Sequence, residues 1–147
     1  MRVFNSEFEV SLRILIILSE LKPKQLSLEK IESYDFASIF GKALGISEYN
    51  LNGDGFYSFA EFLSRRPRIE ESLRNLVLSG LALATAGKNG FLYSASEQGI
   101  VAAGNLKNSY AIKYKYELKK AVSFFRHISD EEMIATISDM AVRDLRK

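Results

Sequence analysis

One stretch, "LALATAGKNGFLYSA", Leu81 to Ala95, breaks the helical rhythm of a chain otherwise patterned for helices, and it constrains the fold more than any other feature. It reads as two short strands around a Gly87-to-Gly90 turn, a β-hairpin. What precedes it is helical. In "SEFEVSLRILIILSEL", Ser6 and Glu9 stand at capping-box spacing, and Phe8, Leu12, Leu15, Ile16 and Leu18 recur at helical spacing. The spacing predicts a helix from Glu7 to Leu21, stopped by Pro23. A second helix begins at the cap Ser27 and carries Leu28, Ile31, Tyr34 and Ile39. After a loop from Gly41 to Tyr57, Ser58 and Glu61 form another capping box, and Pro67 suits the first turn of a further helix. That helix places Ile69, Leu73, Leu76 and Val77 on one stripe and ends at Gly80.

Beyond the hairpin, Ser96 caps a short helix, "SYAIKYKYELKKAVSFFRHI" reads as a long one, and "SDEEMIATISDMAVRDLR" as the last, with Ser129 and Glu132 as its box. The order predicts a mainly α (α+β) fold. Residues 1–105 would form a winged-helix-like core with a short β-hairpin wing, and residues 106–147 an appended C-terminal helical hairpin packed on the same domain.

The chain has 147 residues, enough for one domain with a single core. Its net charge of +2 provides no global basic field, so any nucleic-acid contact has to come from a local patch. There is no cysteine, which excludes a disulfide framework, zinc thiolates and a cysteine nucleophile, and suits a reducing compartment. The longest apolar run, Ile14 to Leu18, is far too short to span a bilayer, and Glu7 and Glu9 interrupt the segment a signal peptide would need. A cytoplasmic location without membrane attachment is expected.

Two sets of residues are candidates for a site. "NLNGDGFYSFAEF" nearly fits an EF-hand loop, with Asn50, Asn52, Asp54 and Glu61 as the side-chain ligands. Against this, Gly41 and Gly45 occupy the place of the entering helix, the first ligand is neutral, and no second hand is present. Glu61 also has a competing role as a helix cap beside Ser58, and Asn50, Asn52 and Asp54 suit local side-chain-to-backbone bonds. The expectation is no metal. The second set is basic: Arg65, Arg66, Arg68 and Arg74 on or just before a helix, with Lys88 in the wing. In a winged helix such residues can meet DNA, but Glu61, Glu70 and Glu71 dilute the patch, and an acidic partner protein suits the same guanidinium forks.

Two smaller features bear on function. His127 is the only histidine, beside Arg126, and no triad can be assembled around it. Tyr110, Tyr114 and Tyr116 interleave with Lys113, Lys115, Lys119 and Lys120. That pattern suits an amphipathic helix with tyrosines at a core or interface edge better than a single-strand binder.

The stretches "FNSEFEVSLRILIILSEL", "YDF" and "NLNGDGFYSFAEFLSRRPRIEESLRNLVLSGLA" resemble the middle component, type 2, of bacterial three-component ABC systems. Related small subunits occur in Lamassu-type antiphage complexes. The likeness runs over most of the chain and is strongest from Phe4 to Leu83. It implies a non-catalytic accessory subunit, without a cofactor, that links an SMC-like ABC ATPase to an effector protein and meets DNA only through the complex. Two alternatives stay open from the residues alone: a winged-helix DNA-binding regulator and an EF-hand-like calcium-binding module.

Overall fold

The computed structural model describes residues 7–51 and 58–145, the side chains of 58–63, 141, 144 and 145 excepted. Its first helix, α1 (Glu7–Glu20), is buried along nearly its whole length from Val10 to Leu18. A helix apolar on all sides has to be surrounded, and α1 is: it packs against the second, third, fourth and fifth helices and the sheet. Strand β1 (Leu26–Ser27) follows, then α2 (Leu28–Ile39), whose N-terminus is capped by Ser27 Oγ accepting from the Lys30 N–H at 3.1 Å. Every residue of α2 from Ile31 on is buried. Two of its hydroxyls meet the need for partners in the core by donating one turn back, Ser33 to the Glu29 carbonyl at 2.8 Å and Ser38 to that of Tyr34 at 2.7 Å.

The third helix, α3 (Ser58–Leu78), is a single helix with Pro67 inside it, and not a pair divided at that residue. A proline in a helix interior removes a hydrogen bond and costs about 3 kcal/mol. Here Pro67 is exposed, on the solvent side of the helix. Inward residues on both sides, Arg65 before it and Ile69, Leu73 and Leu76 after it, anchor the helix across the break. The end follows expectation. Gly80 adopts φ +78°, its N–H reaches the Val77 carbonyl at 3.0 Å, and the Leu81 N–H reaches that of Leu76 at 2.9 Å. Those two bonds make a Schellman cap, which favours glycine at that position.

The wing is β2 (Ala82–Gly87) and β3 (Gly90–Ala95), with Gly87 facing Gly90 across the two-residue turn Lys88-Asn89. The short β1 adds a third antiparallel strand, Leu26 opposite Tyr93, giving the order β1-β3-β2. The chain is thus α+β and winged-helix-like. Helix α4 (Glu97–Gly104) starts at Ser96, whose Oγ accepts from the Gly99 N–H at 3.0 Å and donates to the Gly80 carbonyl at 2.6 Å. Gly99 permits this close approach, since a Cβ there would stand 2.0 Å from the Leu81 carbonyl oxygen.

Helices α5 (Ser109–Phe124) and α6 (Asp130–Leu145) come last, capped by Asn108 and Ser129. Both pack on α2, with α5 reaching α1 and α6 reaching α3. They are therefore walls of the same core, to which they contribute Ala111, Tyr114, Leu118, Ala121, Met133 and Ile137. Among the described residues no helix is long and apolar enough to cross a membrane.

Candidate functional site

The most concentrated electrostatics lie inside the molecule, where α1, α2, α3 and α5 converge on Asp35. Arg13 Nε donates to Asp35 Oδ1 at 2.9 Å, and Arg13 Nη2 lies 3.5 Å from Oδ2, a two-pronged grip on the carboxylate. Tyr114 Oη donates to Oδ1 at 2.6 Å. Arg65 Nη1 stands 3.8 Å from Oδ2, and its guanidinium lies over the Phe40 ring, 5.4 Å from the centroid. All four side chains are buried.

Burial acts to raise the Asp35 pKa. Arg13, then Arg65, and the bonds from Tyr114 and Arg13 outweigh it, and the carboxyl is held below its ordinary value. Burial likewise opposes the charge on Arg13, but Asp35 and the neighbouring Tyr110 and Tyr114 reverse this, and its pKa is raised. For Tyr114, burial and then the adjacent Asp35 carboxylate both push the phenol well above its usual value. Such a network specifies how four helices meet, since a buried charge without its partner is costly.

This placement corrects one expectation. Arg65 is 2% exposed and belongs to the core, so it does not present a fork to a partner. The reason is helical period: Arg65 is one turn before Ile69, on the stripe that also carries Leu73 and Leu76.

Its neighbour Arg66 points outward but is engaged, with Nη2 donating to Glu32 Oε1 at 2.8 Å and Nε to Oε2 at 3.2 Å. A contact from its Nη1 to Glu29 Oε2 at 4.0 Å adds to the link between α3 and α2. Arg68 and Arg74 are exposed. Lys88, at the tip of the wing, borders a cleft of about 530 Å³ that Glu29, Asp130 and Glu131 also line. The five cations thus do not converge on one basic face: one is core, one is paired, and one sits beside acids that would repel phosphate.

Of the loop candidates, Asn50 lies in the described residues. Its Oδ1 accepts from the Lys42 N–H at 3.1 Å, a side-chain-to-backbone bond that holds the 41–51 turn together. Asn52, Asp54 and the Glu61 side chain lie outside the described residues. Among those described, no group of three His, Cys, Asp or Glu side chains is placed to hold a metal ion. His127 is exposed in the turn between α5 and α6.

Sequence reasoning passed over Asp35, Arg13 and Tyr114 as a unit, although a signal was there. Arg13 interrupts the apolar face that surrounds Ile14 to Leu18, and Asp35 sits between Tyr34 and Phe36 on a helix with no other reason to carry a charge inward. A charge on an apolar stripe calls for a partner on another.

No curated protein and no solved structure matches the chain. The family model described as ABC-three component (ABC-3C) system Middle Component 2 matches residues 3–147 and so takes in every part of the Asp35 network. The chain belongs to the middle component 2 family of ABC-three component systems.

Proposed function

We propose that this middle component is a non-catalytic assembly subunit that links an SMC-like ABC ATPase to an effector protein, in an antiphage defence system of the Lamassu kind. The observation that carries the reading is membership of the middle component family over nearly the whole chain. A component between two others in a named three-component system works by contact.

The side-chain chemistry supports it. The most perturbed ionisable groups, Asp35, Arg13 and Tyr114, pair with one another inside the core and serve the packing of helices. Arg66, Lys30 and Lys115 are likewise spent within the fold. Lys30 Nζ pairs with Asp130 at 2.8 Å, and Lys115 Nζ donates to the Ala103 and Leu106 carbonyls at 3.0 and 3.1 Å at the end of α4.

The test is co-expression of the chain with the ATPase and effector of its own system. The expected result is a complex of the three that survives moderate salt, because stable interfaces bury apolar area at their centres. A chain that elutes alone whatever is co-expressed with it contradicts the reading.

A further inference from the structure

Helix α5 has an outer face whose composition does not suit water. Tyr116 is 60% exposed, Phe124 45%, and Tyr49, on the facing 41–51 turn, 46%. Ile112 is exposed one turn before Tyr116 on the same side. Two grooves of about 530 and 520 Å³ run along this face and join at Ile46, Tyr116 and Lys120.

The floor is held from beneath. Lys120 Nζ bonds Glu117 Oε2 at 3.3 Å and Ser47 Oγ at 3.4 Å, and it lies 4.4 Å from the Tyr116 ring centroid. Tyr49 lines the same groove. The 41–51 turn and α5 are thus tied together before any partner arrives, which lowers the ordering cost of binding. The margin is basic: Lys119 and Lys120 line the grooves, and Lys113 lies one turn before Tyr116 on its stripe.

From this we infer that the α5 face, with Ile46, Tyr49, Tyr116 and Phe124 as its apolar floor and Lys113 and Lys119 at its edge, docks an acidic amphipathic segment of another protein component of the system. Exposed Tyr and Phe in a pre-formed groove are the residue types that anchor protein interfaces, and the lysine margin selects acidic flanks. Single-stranded nucleic acid fits less well. The remaining aromatics of the tyrosine–lysine run face inward, Tyr114 to Asp35 and Tyr110 packed at 6.4 Å on Tyr114, so they offer no stacking faces to bases.

This inference rests on the assembly reading, and its test separates the two. The wild-type chain, Tyr116→Ala with Phe124→Ala, and Lys119→Glu are each co-expressed with the two other components, and the affinity of each purified chain for the remaining pair is measured at low and moderate salt. The double variant should bind about tenfold more weakly or worse. Lys119→Glu should lose affinity mainly at low salt, and both should keep the wild-type thermal melt. Wild-type affinity in both variants overturns the docking face while the assembly reading stands. Failure of the wild-type chain to associate overturns both. If the variants lose binding to a single-stranded oligonucleotide but keep the protein partners, the face is a nucleic-acid surface and the inference is wrong.

Discussion

Tyr114 on α5 donates a 2.6 Å hydrogen bond to Asp35 on α2, across 79 residues of chain, in a site with no access to water. The same carboxylate takes both prongs of Arg13 from α1. One aspartate therefore sets how three helices meet, and α3 adds Arg65 beside it.

Replacing Asp35 with Asn leaves two buried guanidinium groups without their counter-charge. The expected loss is about 3–5 kcal/mol, the range for breaking a buried pair from one side. Tyr114→Phe removes one bond to a charged group and should cost about 1.5–3 kcal/mol. Urea melts of both variants check the ranking. A Tyr114→Phe loss equal to that of Asp35→Asn would mean that the hydroxyl, and not the ion pair, dominates the site.

The two neighbouring arginines should behave in opposite ways. Arg65→Glu places a carboxylate against Asp35 in the core and should abolish folding or destabilise by several kcal/mol. Arg68→Glu, on the exposed side, should cost far less, about 1 kcal/mol or below, the range for an exposed charge pair. Circular dichroism and melting of the two single variants give the comparison. A folded Arg65→Glu chain of wild-type stability would contradict the inward placement. For the same reason a combined reversal of Arg65, Arg66 and Arg68 reports on folding before it reports on docking.

Acid should destabilise the protein through Asp35. Its folded pKa is below the unfolded value of about 3.9. A carboxyl depressed on folding contributes stability that is present above its unfolded pKa and is lost as pH falls through the folded one. Stability should therefore decline below about pH 4, and more shallowly in Asp35→Asn, which has no such proton to take up. At the alkaline end the sign reverses. The raised pKa of Tyr114 contributes stability that is present below the unfolded tyrosine value of about 10 and is lost as pH rises toward the folded value. Unfolding titrations of wild type, Asp35→Asn and Tyr114→Phe across pH test both limbs.

Pro67→Ala restores a helix hydrogen bond within α3 at an exposed position. It should raise stability by about 1–3 kcal/mol. A loss of stability on this substitution would argue that the helix does not run through residue 67.

Much of the fold was legible in residues of clear local meaning. Ser27, Ser96 and Ser129 cap where their side-chain chemistry predicts, Gly80 closes α3, and the alternation around Gly87 and Gly90 gives the wing. What escaped depends on partners distant in sequence. Strand β1 is two residues long and exists because β3 is beside it, so no periodicity can announce it. The break expected at Pro67 is overridden by burial on both sides of it, a tertiary effect. Arg65, Arg66 and Arg68 look alike as letters, yet one residue is a rotation of about 100° on a helix. Extending the Ile69 stripe one turn back would have placed Arg65 inside. The Asp35 network needed four helices brought together, and only its odd charges on apolar faces gave it away.

If this chain holds two other components together, as proposed, removing it should separate them. The two proposed partners, an SMC-like ATPase and an effector, are co-expressed with and without the chain, and the mass of the purified assembly is determined by native mass spectrometry. A three-component complex in its presence, and separate ATPase and effector in its absence, is the predicted result. An ATPase–effector complex of unchanged stoichiometry without it would contradict the account.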